Sequence, residues 1–493
     1  MEKIIKSYAI KKIVLKFLLA SFCFSSCDTG FFNTEGEVFV YKEPVKEIPV
    51  EECVTDNESE NESNETEQLE FQESINEEQK NDKSENVEQN IEDEISEDEQ
   101  KEDKKLTLIV YMAADNDLES YGIANLKQME RAECENLNVL VLFDRSENYD
   151  ETNGNWTNTR LFEVVHDNST SNYIASKRLD CPMLGISATE QTELDMGNFN
   201  TLRNLIDFAK TEYQAEKYAL IFWGHGTGWR GSALNDEIYR AVAIDDKTGT
   251  YMTVAEEAKA LKNQGLSVIG FDTCFGAVIE NIYELKFSSL YTVASPGISP
   301  SMGWNYTQLL EALNNCDFSP KSIALAMSDS SAVKTTVIDN QKVPELMRKF
   351  ENFACELSKT IISAETRENV FLKIINSKSF SYTQYPCDMY LDIYSLADLY
   401  DETLNENLST ASSELKKQIN LTGDTTNSQN AMIGVFLIPK LSAKTTAVQH
   451  SINYIKAENN DSQCSFIKDS DWWVPTENGK SGSLLDKLFY TAY

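Results

Sequence analysis

Five mostly apolar, non-alternating runs of strand length constrain this chain more than any other feature: residues 106–112, 137–143, 218–223, 266–271 and 290–294. A strand with one wet face alternates apolar and polar residues. A run such as Val139-Leu140-Val141-Leu142-Phe143 does not alternate, so it reads as a strand buried on both faces. Stretches of helical character stand between the runs. Residues 118–131 follow a turn rich in capping residues, and 201–213 carry Leu202, Leu205, Ile206 and Phe208 at helical spacing. Residues 254–261 and 277–286 lead into the last two runs. Strands alternating with helices predict an α/β fold with crossover connections, in which ligands collect beyond the carboxyl ends of the strands.

At 493 residues the chain exceeds one average domain, and its charge divides it further. Residues 1–27 hold one acid and five lysines, then the apolar run 17–24 and Ser25-Ser26-Cys27. That is the pattern of a bacterial export signal, and its apolar run is far short of the ~20 residues a membrane span needs. Small residues before a cysteine resemble the lipobox of lipoproteins, so Cys27 is the expected lipidation site and membrane anchor. Phe24 stands where that pattern prefers Leu, which leaves ordinary signal cleavage and secretion as the alternative. Residues 28–104 are acidic and poor in aromatics, and are expected to form a disordered, self-repelling tether. The folded part then divides into 105–306 and a C-terminal α/β region, 307–493. In that region 343–357 and 391–404 read as helices and 432–437 as a strand. A net charge of −36 disfavours a nucleic-acid partner. The cysteines after residue 27 show no CxxC pair or short-range His partner, so no metal site is expected from them.

Two strand ends carry the residues of chemical interest. Trp223 is followed by Gly224-His225-Gly226-Thr227-Gly228-Trp229, and Phe271 by Asp272-Thr273-Cys274-Phe275-Gly276. A free thiol is only a few per cent thiolate at neutral pH. An imidazole beside it raises that fraction and can later protonate a leaving amine. Cys274 is the candidate nucleophile and His225 the candidate acid/base. The backbone N–H groups of Gly226 and Cys274 are the candidate oxyanion donors. The segment from Gly226 to Gly231 also fits GxGxxG, but no long helix pattern follows it, so a dinucleotide site is not expected.

These two motifs resemble the catalytic motifs of the clostripain family of cysteine peptidases, relatives of caspases and gingipains. Thr107 to Leu118 resembles that family's first strand and acidic turn, and Ala294-Ser295 to Tyr306 its loop after the catalytic strand. The resemblance covers about residues 105–450. It implies a three-layer αβα caspase-like fold and an endopeptidase acting through a Cys–His dyad, typically after Arg or Lys, which the signal pattern of residues 1–27 would place outside the cytoplasm. It also implies protein or peptide substrates and a basic-residue pocket containing Asp272, which otherwise reads as a carboxylate tying down a neighbouring loop; Trp304 reads either as a wall of the cleft or as core packing. Pro296-Gly297-Ile298 stands where the family commonly has a second acid, which puts strict Arg specificity in doubt. Family members are often cut between the two motifs, where Arg230, Arg240 and Lys247 are the candidate self-cleavage sites. No cofactor is required by the dyad. Calcium dependence is known in the family, although Asp245, Asp246 and Asp115-Asn116-Asp117 form no EF-hand pattern and read as caps and turns. A monomer is expected. The competing reading is a surface binding or adhesion lipoprotein that keeps the scaffold without turnover.

Overall fold

A computed structural model describes residues 104–437, except 148, 230–231, 235–236, 240–241, 376, 379, 381–389 and 426–429, together with 465–466, 470, 472 and 483–489. The export signal, Cys27, the acidic stretch before Lys104, Arg230 and Arg240 lie outside the described residues. Among those residues, no helix is long and apolar enough to cross a membrane.

The first strands are β1 (Lys104–Ala114), β2 (Leu137–Arg145), β3 (Thr159–Glu163), β4 (Lys177–Arg178) and β5 (Ala215–Trp223). Four short strands follow: β6 (Ser232–Leu234), β7 (Glu237–Tyr239), β8 (Val242–Asp245) and β9 (Thr250–Met252). Then come β10 (Leu266–Asp272), β11 (Ser289–Ala294), β12 (Thr336–Asp339), β13 (Tyr390–Asp392), β14 (Gly423–Asp424) and β15 (Gly434–Phe436). Nine of these form one sheet in the order β14-β12-β11-β10-β5-β1-β2-β3-β4. The five apolar runs are its central strands, β11, β10, β5, β1 and β2, and all pair in parallel. Short antiparallel strands close both edges.

Helices cover both faces, which is why the central strands show no alternation. One face buries Leu108, Val110 and Met112 of β1 under α1 (Glu119–Glu130), α5 (Tyr306–Asn314) and α6 (Pro320–Asp329). The other buries Ile109, Tyr111 and Ala113 under α2 (Phe199–Glu212), α3 (Val254–Leu261), α4 (Ile279–Glu284) and α7 (Val343–Lys359). Local sequence starts several of these helices. Asn198 caps α2, Ser319 caps α6 with Pro320 in its first turn, and Thr253 with Glu256 forms a capping box on α3.

Three sequence expectations change. Lys104, assigned to the tether, already belongs to β1. The boundary at 306 falls inside one sheet, because β12 and β14 of the C-terminal region extend it beyond β11. The helix expected over 391–404 divides into β13 and the short α9 (Ile393–Asp398), with α8 (Ala364–Ile375) before them and α10 (Glu406–Thr422) after. The cause is local and tertiary together: Asp392 accepts the Tyr394 N–H as a helix cap, while β13 pairs with β15.

Candidate active site

Strand register brings the chemically interesting residues together. Trp223 at the end of β5 pairs with Met112 of β1 on one side and with Asp272 of β10 on the other. The loops leaving these three adjacent strands therefore start at one level. The β1 loop carries Asp115, Asn116 and Asp117, the β5 loop His225, and the β10 loop Cys274. The chain goes from β1 to β2 on one flank and later returns to β5 on the other, so the crevice between β1 and β5 is a topological switch point.

The His and Cys loops touch directly. A Cβ on Gly226 would lie 2.5 Å from the Cys274 carbonyl oxygen and 2.8 Å from Thr273 Cβ, so only glycine allows this approach. Cys274 is partly exposed; its Sγ accepts the Ser299 N–H at 3.3 Å and faces the Ser299 carbonyl at 3.7 Å. Ser299 is itself held by its hydroxyl, which donates to the Thr273 carbonyl at 2.9 Å. Phe275, next to Cys274, has φ 58°, a left-handed conformation that costs a non-glycine residue roughly 1–3 kcal/mol. Packing holds it there. Its N–H donates to the Gly297 carbonyl at 2.8 Å, and its ring lies 4.9 Å from that of Tyr390. The Tyr390 hydroxyl donates to the Thr227 carbonyl at 2.7 Å, over Gly228 at φ +72°. Tyr390 thus spans the His and Cys loops from β13.

His225 has a partner that the sequence reading took for a turn residue. Its Nε2 lies 2.6 Å from Asp117 Oδ1, with both side chains partly exposed. That hydrogen bond holds the Asp117 carboxyl below its ordinary range, against the opposing effect of burial.

Asp272 and Trp304 sit deeper. Asp272 Oδ2 accepts the Trp304 N–H at 2.9 Å and the Tyr306 hydroxyl at 3.0 Å, while its buried Oδ1 has no hydrogen-bond partner among the described residues. Burial pushes its carboxyl up to about 7 although both hydrogen bonds act to lower it. The same loop is tied from above by Asn125, which donates to the Met302 carbonyl at 3.1 Å and accepts the Trp223 indole N–H at 2.8 Å. The Trp304 ring is core packing rather than a cleft wall. It is 2% exposed and lies where a Cβ on Gly270 would meet it at 2.8 Å. Lys247 stands in the turn between β8 and β9, paired with Glu193 at 3.1 Å and Glu147 at 3.4 Å.

The sequence profile of the clostripain family matches residues 110–477. The chain belongs to the clostripain family. Clostripain of Hathewaya histolytica is 29% identical over 229 residues, 43% of this chain and 42% of clostripain, so the match spans less than half the length of that curated relative. Among solved structures, the inactive zymogen C11 protease of Parabacteroides distasonis superposes with TM-score 0.51 at 16% identity, covering 75% of this chain and 98% of that one. A secreted C11 cysteine protease of Bacteroides thetaiotaomicron, solved with an irreversible peptide inhibitor, aligns with TM-score 0.49 at 18% identity over 74% of this chain and 96% of its own. The caspase-like α/β fold of the clostripain family is thus the fold of this chain.

Within that fold, sequence reasoning missed Asp117, Ser299 and Tyr390. Asp117 carried a usable signal, since it follows a central strand at the carboxyl edge where sites form. Tyr390 carried none, because 163 residues separate it from its partner Thr227.

Proposed function

We propose that this chain is an exported cysteine endopeptidase in which Cys274 attacks the peptide carbonyl and His225 handles the proton. The observation that carries the reading is the direct contact of two loops at the carboxyl edge, with Gly226 packed on the Cys274 carbonyl. His225 takes the thiol proton and the thiolate attacks the scissile carbon. The tetrahedral oxyanion is received by the backbone N–H groups of Gly226 and Cys274. His225 then protonates the leaving amine, and water hydrolyses the resulting acyl-enzyme. With Nε2 occupied by Asp117, Nδ1 is the ring nitrogen left for the proton transfer. Asp117 is a positioning residue for that ring.

Substrates are protein or peptide chains cut after Arg or Lys, with Asp272 supplying the carboxylate of the basic pocket. Its buried, unpartnered Oδ1 supports this role, since a guanidinium or ammonium would satisfy it. Export and lipidation at Cys27 rest on the signal pattern of residues 1–27. Self-cleavage falls at Arg230, Arg240 or Lys247. An intact Cys274→Ala chain beside a nicked wild type supports it, and fully active, intact wild type overturns it.

The deciding experiment compares the wild-type chain and Cys274→Ala on fluorogenic peptides with Arg, Lys, Asp, Leu or Ala before the scissile bond. Turnover of the Arg and Lys peptides that vanishes in the variant is expected. Turnover confined to other peptides keeps the peptidase and removes Asp272 from the pocket. No turnover, even after limited trypsin nicking and added calcium, favours the binding-lipoprotein reading.

A further inference from the structure

A third loop, besides those of the proposed dyad, reaches the sulfur of Cys274. The chain leaving β10 and the chain leaving β11 run past each other in opposite directions: Ala277 N–H donates to the Ser295 carbonyl at 2.9 Å, and Phe275 N–H to the Gly297 carbonyl at 2.8 Å. Two residues further along, the same register sets Thr273 against Ser299. An antiparallel rung at that position gives the Thr273 carbonyl to the Ser299 N–H. Here the rung is rewired. The Ser299 hydroxyl donates to the Thr273 carbonyl at 2.9 Å, and the Ser299 N–H donates to Cys274 Sγ at 3.3 Å. The side chain has taken the acceptor that its own N–H would use, an exchange open to Ser and Thr because their hydroxyls stand in for a backbone donor. With that acceptor occupied, the N–H turns to the sulfur.

From this rewiring we infer that Ser299 is a further functional residue of the site: its main-chain N–H stabilises the Cys274 thiolate, and its hydroxyl keeps that N–H free to do so. A hydrogen bond donated to the charged form of a group favours that form. The Ser299 carbonyl also faces Sγ, at 3.7 Å, and can accept only from the protonated thiol. The N–H contact is the shorter of the two, so the balance lies with the thiolate. The loop beyond Ser299 is braced. Gly303 N–H closes a turn on the Pro300 carbonyl at 2.9 Å, and Asn125 ties down the Met302 carbonyl at 3.1 Å. Such a donor has two opposed effects on rate. Lowering a thiol pKa by about one unit raises the thiolate fraction about tenfold at low pH, while each thiolate reacts about threefold more slowly, because nucleophilicity falls with a Brønsted slope of about 0.4–0.5. The net effect is a gain of about threefold below the midpoint and a loss of about threefold above it. The benefit to peptide cleavage rests on the peptidase reading; the hydrogen bond to the sulfur does not.

The test is the pH profile of iodoacetamide alkylation, read by mass spectrometry on the Cys274 peptide so that other thiols do not enter. It is measured for the full wild-type chain and for Ser299→Ala, Ser299→Thr and Ser299→Val. The groups that titrate around the sulfur, His225 with Asp117 from the β5 and β1 loops and Asp272 at the end of β10, are common to all four chains. In Ser299→Ala the N–H returns to the Thr273 carbonyl, and the midpoint is expected to rise by about one pH unit. Alkylation then slows about threefold below the midpoint and quickens about threefold above it, so the two profiles cross. Ser299→Thr keeps the hydroxyl and should keep the wild-type profile. Ser299→Val has the shape of Thr without the hydroxyl and should follow Ser299→Ala, which preserves the comparison if the alanine variant does not fold. Superimposable profiles for wild type and Ser299→Ala, a uniform slowing at every pH, or agreement between the Thr and Val variants overturns the inference. Alkylation needs no turnover, so this result is independent of the peptidase assays, and failure of those assays alone removes only the benefit to cleavage.

Discussion

Asp117 Oδ1 lies 2.6 Å from His225 Nε2, joining the turn after β1 to the loop after β5 across the switch point of the sheet. A carboxylate so placed fixes the ring's orientation. Removing it by Asp117→Ala is expected to lower kcat by about 10- to 100-fold with little change in KM, since binding contacts remain. Both side chains are partly exposed, so stability should move by no more than about 0.5 kcal/mol. Steady-state kinetics with a denaturant titration decide it: an unchanged kcat removes Asp117 from the mechanism.

Tyr390 is expected to matter through geometry rather than contact with substrate. Tyr390→Phe removes the hydroxyl bond to the Thr227 carbonyl and should cost about 1 kcal/mol of stability and a several-fold loss of kcat. The ring contact with Phe275 remains in that variant, so its φ of 58° is still supported. Tyr390→Leu removes both links and should slow iodoacetamide alkylation of Cys274 as well. Equal alkylation rates in wild type and Tyr390→Leu would falsify the coupling.

Asp272 makes a prediction about pH. Its folded carboxyl titrates at about 7, above the unfolded value of about 3.9, so the native state holds a proton that the unfolded state has lost. Its contribution to stability is therefore full below about pH 4, declines as pH rises, and is lost above about pH 7. Asp272→Asn carries no such charge. The melting temperature of the variant minus that of wild type should become more positive from pH 5 to pH 8; a difference independent of pH contradicts the raised carboxyl. The same variant should lose turnover of Arg and Lys peptides if the carboxylate serves the pocket.

Trp304→Ala tests whether that ring is core or cleft. With the side chain 2% exposed and its ring against Gly270, the substitution should cost about 3–5 kcal/mol by leaving a cavity. KM measured below the lowered melting point should stay near the wild-type value. A raised KM without loss of stability would return Trp304 to the cleft.

Much of the scaffold was legible because it rests on local signals. Apolar runs without alternation marked the five parallel strands, and 254–261 was read as a helix where a capping box starts α3. His225 and Cys274 were legible because each directly follows such a run. The antiparallel edges were not, since strands as short as β14 and β4 take their conformation from a neighbour rather than from their own residues. Residues 391–404 failed for the same reason: a helical pattern yielded where pairing with β15 claimed its first turn.

Residue pattern along the chain was enough to identify which strands are buried on both faces, where each ends, and therefore which residues stand at the carboxyl edge. These depend on periodicity and chain direction, which are properties of neighbours along the chain. Which edge residues meet depends on long-range packing instead. Strand order set β1, β5 and β10 side by side, and so put Asp117 on His225 and Gly226 on Cys274. It also turned Trp304 into the core and brought Tyr390 across both loops. Such contacts join residues tens to hundreds of positions apart. Their energy comes from burial and pairing that no local window of sequence contains.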